Sequence, residues 1–179
     1  MTAQQWPVQA HCDAFYGNPR GGGGEASGKW VTENLTHIHP PFVMTYDGQP
    51  VKTIVIHKKC AASLLRVLNA IWEAAGRDQA TANRWGVSIY AGSYVYRVKR
   101  GSSSLSMHAY GCAIDLDPAR NGFHDQTPNF AAHPEVIKAF EDEGWEWGGR
   151  WHGRSCDGMH FQAAWTRPCL LYTSDAADE

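Results

Sequence analysis

Two imidazoles and two carboxylates recur in a pattern that can hold a metal ion and work a water molecule. Ser106-Met107-His108-Ala109-Tyr110-Gly111 leads to Asp115, and Asp157-Gly158-Met159-His160 follows later in the chain. As patterns these read S-x-H-x-x-G-x-A-x-D and D-x-x-H. His108, Asp115 and His160 form a ligand set suited to Zn2+. Three protein ligands with a fourth position open is the usual catalytic arrangement, whereas structural zinc sites are closed by four. Asp157 is then a spare carboxylate, placed to activate water. Each half alone is weak in a chain with nine histidines. Together, with the Ser, Gly and Ala between them, they are far more specific. The expectation is a zinc hydrolase.

The elements that must position these groups are short. Cys112 to Leu116 reads as a buried strand, with Gly111 allowing a sharp turn before it. His108 then lies in the loop entering the strand and Asp115 near its far end. From Met159 to Ala163, apolar Met159, Phe161 and Ala163 alternate with His160 and Gln162, so the polar pair shares one face while the apolar residues enter a core. The reading is two neighbouring strands of one antiparallel sheet with zinc on the polar face, Gly158 letting Asp157 fold back over the metal.

Segment Gly92 to Gln162 resembles the M15 zinc peptidases, the group of VanY-like D-Ala-D-Ala carboxypeptidases, dipeptidases and related endolysins. GSYVYRVKRGSSSLSMHAYGCAIDLDP and GWEWGGRWHGRSCDGMHFQ carry the resemblance, and weaker similarity reaches back to about Val51. The resemblance implies an α+β fold of the D-Ala-D-Ala peptidase and hedgehog-like type, a small antiparallel sheet flanked by helices. It implies zinc on His108, Asp115 and His160, with Asp157 as general base. An upstream arginine should support the substrate carbonyl. Arg97 matches that role best and Arg100 competes with it. Ser106 either steadies a ligand or shapes the turn. The carboxypeptidase and dipeptidase branches commonly place Glu where this chain has Asp157. Asp there is similar to the phage endolysins that cut the L-alanyl-D-glutamate bond of peptidoglycan stem peptides. The alternatives are a D,D-carboxypeptidase or D-Ala-D-Ala dipeptidase, and a non-catalytic wall-binding or phage structural protein.

The remaining sequence bounds these readings. Hydrophobic content of 43% and aromatic content of 12% are globular values for 179 residues. A net charge of −2 gives no footprint for nucleic acid, and no apolar run is long enough to insert in a membrane. A monomer acting on a stem peptide is expected. Five cysteines without C-x-x-C spacing fit a reducing compartment. Met1 to Pro7 lacks the basic and apolar regions of a signal peptide, so the expected site is the cytoplasm until release to the wall. Cys112 and Cys156 flank the motifs and offer a thiol nucleophile as a rival chemistry.

Strands are expected at Val51 to His57 and Val87 to Ala91. Helices are expected at Ala61 to Ala75, stopped by Gly76, and at Pro134 to Glu143. Trp145, Trp147 and Trp151 either line a substrate groove or pack on the sheet. Residues 1–50 read as irregular, a linker or a loop-rich apron whose many aromatics favour packing. His37-Ile38-His39 reads as a loop entering the fold, before Pro40 and Pro41. The division is therefore 1–50, a peptidase domain 51–168, and a non-native tail 169–179.

Overall fold

In the computed structural model, residues 6–167 are described. The tail assigned to 169–179 lies outside the described residues. In chain order come α1 (Cys12–Tyr16), α2 (Gly28–Asn34), β1 (Leu35–Ile38), β2 (Thr45–Tyr46), β3 (Gln49–Pro50) and β4 (Ile54–His57). Then follow α3 (Lys58–Ala74), α4 (Gln79–Trp85), β5 (Tyr90–Gly92), β6 (Ala113–Leu116), α5 (Pro134–Asp142), β7 (Glu146–Trp147) and β8 (His160–Gln162). The class is mixed α+β, as expected.

The antiparallel sheet β5-β6-β8-β7 is the platform of the molecule. Its central register pairs Asp115 with His160, Ile114 with Phe161 and Ala113 with Gln162. Because side chains alternate along a strand, Asp115, His160 and Gln162 share one face. Ile114 and Phe161 are fully buried behind it. Phe161 stacks on Phe140 of α5 at 3.9 Å between ring centroids, and Trp147 stacks on it from β7. Slipping β8 by one residue would exchange His160 for Phe161 on the polar face, so this aromatic layer fixes the register of the ligands. Met159, expected in the core, is only half-buried.

Helix α3 closes the core with Leu64, Val67, Leu68 and Ile71 fully buried at helical spacing. It begins one turn earlier than the sequence predicts because His57 acts as its cap, its Nδ1 accepting from the Lys59 amide at 3.0 Å. A histidine cap lies outside the Ser, Thr, Asp and Asn set that marks helix starts. Helix α5 starts on Pro134 and buries Val136, Ile137 and Phe140. Ser63 of α3 links the two helical regions, donating to Glu143 and accepting from the Trp145 indole, both at 2.9 Å.

Residues before 50 depart from the irregular reading. Strand β1 pairs antiparallel with β4, so His37 and Ile38 lie in a strand opposite Val55 and Ile54 and not in a loop. Trp6, Cys12, Tyr16, Ile38, Phe42 and Met44 join the same core as α3 and the sheet. The Tyr16 hydroxyl donates to the Ala163 carbonyl at 2.6 Å. A boundary at residue 50 thus cuts through the β1–β4 pair; the short α1 and α2 lack the long periodic pattern that would have shown them in the sequence. Strand β4 starts at Ile54, later than expected. The strand expected from Val87 shifts to Tyr90–Gly92, since Val87 itself is buried in the preceding turn. None of the described helices is long and apolar enough to cross a membrane.

His57 also makes the fold sensitive to acid. Its Nδ1 accepts a backbone proton and its Nε2 donates to the Tyr16 carbonyl at 3.0 Å, so the neutral ring is the one that fits. Burial lowers its pKa from 6.5 to about 4, with Lys59 and Lys58 adding to the effect against the Tyr16 carbonyl. The unfolded chain protonates below 6.5 while the fold resists until about 4. Stability is therefore full above that window and is lost as pH falls through it, by about 3 kcal/mol at its lower end. Urea unfolding at pH 7.5 and 4.5 should show this drop, and His57→Gln should flatten it; equal slopes in both proteins would contradict the assignment.

Candidate metal centre

Each ligand candidate arrives on a different element. Residues 107–110 form a single 3-10 turn, not an open loop, and it carries His108. Ser106 caps this turn, its hydroxyl accepting from the His108 amide at 3.4 Å. Gly111 ends it at φ +63°, in the left-handed region, where a Cβ would stand 2.8 Å from Leu35 Cδ2 and 3.0 Å from the His57 amide nitrogen. Glycine there is demanded by both the turn and the space. The chain then enters β6, which brings Asp115 beside His160 on β8.

Within this cluster, His108 Nε2 lies 3.2 Å from Asp115 Oδ2, and His160 Nδ1 lies 2.9 Å from Asp115 Oδ1. The two ring nitrogens are 3.2 Å apart. Among the described residues this trio is the group whose ligand atoms converge as a metal site requires, all within 4.8 Å of one another. The partners of the outer ring nitrogens show what kind of centre it is. His108 Nδ1 faces the Ser93 carbonyl at 2.6 Å, and His160 Nε2 faces the Gln162 side-chain oxygen at 2.9 Å. Both partners only accept, so both rings carry their proton on the outer nitrogen. The inner nitrogens turn lone pairs toward each other and toward a carboxylate. Such a nest of donors needs a cation at its centre, either a proton or a metal ion, and His, His and Asp are a fitting donor set for zinc.

The charges agree with that view. Burial works against ionisation of Asp115, yet His108 and His160 outweigh it and hold the carboxyl well below the usual carboxylate range. Burial likewise opposes a charged His160, yet Asp115 raises its pKa above the ordinary value. Ser93 reaches His108 because β5 carries a register shift between Tyr90 and Gly92, which turns the chain out of the sheet. Its own hydroxyl donates to the Val55 carbonyl at 2.6 Å.

Asp157 stands at the edge of the trio. Its backbone amide donates to the Gly148 carbonyl at 3.0 Å, while its Oδ1 is buried without a hydrogen-bond partner. Burial pushes its carboxyl above the ordinary value; His160 offsets part, Asp115 adds to the rise, and His108 and Arg97 oppose it. Gly158 serves close packing and not a special turn, with an added Cβ only 2.4 Å from Pro128 Cβ. Arg97 is exposed at the base of a hairpin closed by Lys99 and Ser104, and its carbonyl accepts from the Ser106 amide at 3.0 Å. Arg100 sits at the hairpin's tip.

Residues 100–163 match the family model of M15 peptidases described as D-alanyl-D-alanine carboxypeptidase. This match supports the M15 peptidase family for that segment. It supports a metallopeptidase, and the matched segment holds His108, Asp115, Asp157 and His160. No curated protein and no solved structure was found to match the chain.

Within the matched segment the rival thiol chemistry has no support. Cys112 is fully buried beside β6, and burial raises its pKa. The Cys156 thiol donates to the Asp125 carbonyl at 3.0 Å and is pushed up by burial, Asp157 and Asp125. A nucleophilic cysteine needs the opposite shift. Trp145 and Trp147 belong to the core, whereas half-buried Trp151 lies 5.5 Å from the His160 ring. Two residues behind the ligands carry no sequence signal: Ser93, and Glu146, whose carboxylate accepts from the Gln162 amide at 3.0 Å. The first acts through a backbone carbonyl, which residue type cannot reveal, and the second comes from a separate strand.

Proposed function

We propose that the protein is a zinc-dependent peptidase that hydrolyses peptidoglycan stem peptides. The observation that carries this reading is the convergence of His108, Asp115 and His160 beside a buried carboxylate with a free oxygen, inside the segment that matches the M15 family. Zinc held by those three residues would supply a Lewis acid for the scissile carbonyl and make water more acidic. Asp157 takes a proton from the attacking water on Oδ1 and returns it to the leaving amine. Its raised pKa makes it a better base than an ordinary aspartate, closer to the working pH. Arg97, exposed at the base of the hairpin, stabilises the charge that develops on the substrate oxygen. Asp115 and the Ser93 carbonyl hold the His108 imidazole in one orientation.

The bond cut is taken to be L-alanyl-D-glutamate, on the resemblance that Asp157 bears to the endolysin branch. D,D-carboxypeptidase activity is the second reading, favoured by the description of the matching family. Mass spectrometry of purified peptidoglycan, digested with zinc-loaded protein, separates them. New N-terminal D-glutamate, absent with Asp157→Ala, is the expected product. Loss of a terminal D-alanine would move the activity to the carboxypeptidase reaction at the same site. No product from protein that holds zinc would overturn catalysis on peptidoglycan.

A further inference from the structure

The two imidazoles of the centre are anchored differently. His108 leans on a backbone carbonyl, which no side-chain substitution can delete. His160 leans on Gln162, two residues along β8 on the same face and almost fully buried. The orientation of the Gln162 amide is decided by its nitrogen, which donates to Glu146 Oε2 at 3.0 Å and to the Ala164 carbonyl at 2.8 Å. Turning the amide over would set its oxygen against a carboxylate and a carbonyl, and its NH2 against His160. The oxygen must therefore face His160 Nε2, 2.9 Å away. Glu146 is placed for this by the β7–β8 register, which pairs it directly with Gln162. It is itself held by the Thr166 amide at 3.1 Å and the Thr166 hydroxyl at 2.7 Å.

We propose that Gln162 is a positioning residue of the metal centre: its side-chain oxygen holds His160 in the Nε2–H tautomer, so that Nδ1 is the atom offered to the ion. The inference rests on the metallopeptidase reading above. An oxygen that only accepts obliges Nε2 to carry the proton, leaving the Nδ1 lone pair aimed at Asp115 and His108. Without that acceptor the opposite tautomer becomes competitive, and it points a hydrogen at the ion. Glu146 and Thr166 extend the relay from the ligand to the outer strand. Residues that orient a ligand in this way typically change metal affinity 10–100-fold when removed.

The test compares wild type with Gln162→Met, which keeps the length of the side chain and removes the acceptor. Zinc affinity is read by chelator competition, and the His160 tautomer by long-range 1H–15N correlation of 15N-histidine-labelled, zinc-loaded protein. Wild type should show zinc on His160 Nδ1 with a proton on Nε2, and the Met variant should bind zinc 10–100-fold more weakly. Equal affinity in the two folded proteins would overturn the proposal. If the variant does not fold, the wild-type spectrum still decides, because ligation through His160 Nε2 would equally overturn it. A wild type that takes up no zinc would overturn the metal centre itself, and this inference with it.

Discussion

Asp157→Asn should leave zinc uptake intact and slow peptide hydrolysis by about 10²–10⁴-fold, the usual contribution of a general acid–base group. Asn keeps the shape of the side chain and cannot accept the proton. The substitution is also structurally mild, because the contact that fixes residue 157 is its backbone amide on Gly148. Oδ1 has no protein partner to lose. Zinc content, kcat and KM on a synthetic stem peptide check the expectation, with the loss falling on kcat. A variant that loses zinc would make Asp157 a fourth ligand and close the centre. A variant that hydrolyses at the wild-type rate would leave the proton transfer to another group. Arg97 belongs to a different class in this scheme, since its charge acts on the substrate and on Asp157 without moving a proton.

How much of this was legible in the sequence depends on where each partner lies along the chain. His108, Asp115, Asp157 and His160 could be read because a metal centre needs particular residue types and because β6 and β8 carry period-two patterns that set their faces. Gln162 could be placed on the right face by the same alternation. Its task could not be read, since it is set by Glu146 across the β7–β8 pair and by Thr166 beyond the strand. Ser93 was invisible for a second reason: it contributes a main-chain carbonyl, aimed by an irregularity in β5. In the first fifty residues the aromatics pointed to packing, which the core bears out, but the elements were not legible because they are short and non-local. Strand β1 gains meaning only from β4, and Trp6 and Tyr16 only from Glu143 and Ala163, which accept their side-chain protons. Helix α3 shows the opposite case, where long local periodicity placed the helix well and only the histidine cap displaced its start.

The second large effect separates the two carboxylates of the site. Asp115→Asn should abolish zinc binding and hydrolysis together, weakening affinity by more than the 10–100-fold expected for an outer partner. The reason is local. Asp115 is the one anion among the three convergent ligands, touching His108 at 3.2 Å and His160 at 2.9 Å. An asparagine there has no charge to give, and its NH2 in one orientation would occupy the lone pairs that the imidazoles turn inward. Thermal stability reports the difference without any peptide substrate. A ligand at 1,000 times its Kd stabilises the folded state by about 4 kcal/mol, so wild type and Asp157→Asn should both melt at higher temperature with zinc than without. Asp115→Asn should melt at the same temperature in both conditions. Zinc-dependent stabilisation that survives in Asp115→Asn would mean that the ion is held elsewhere, and the assignment of one carboxylate to binding and the other to proton transfer would fail.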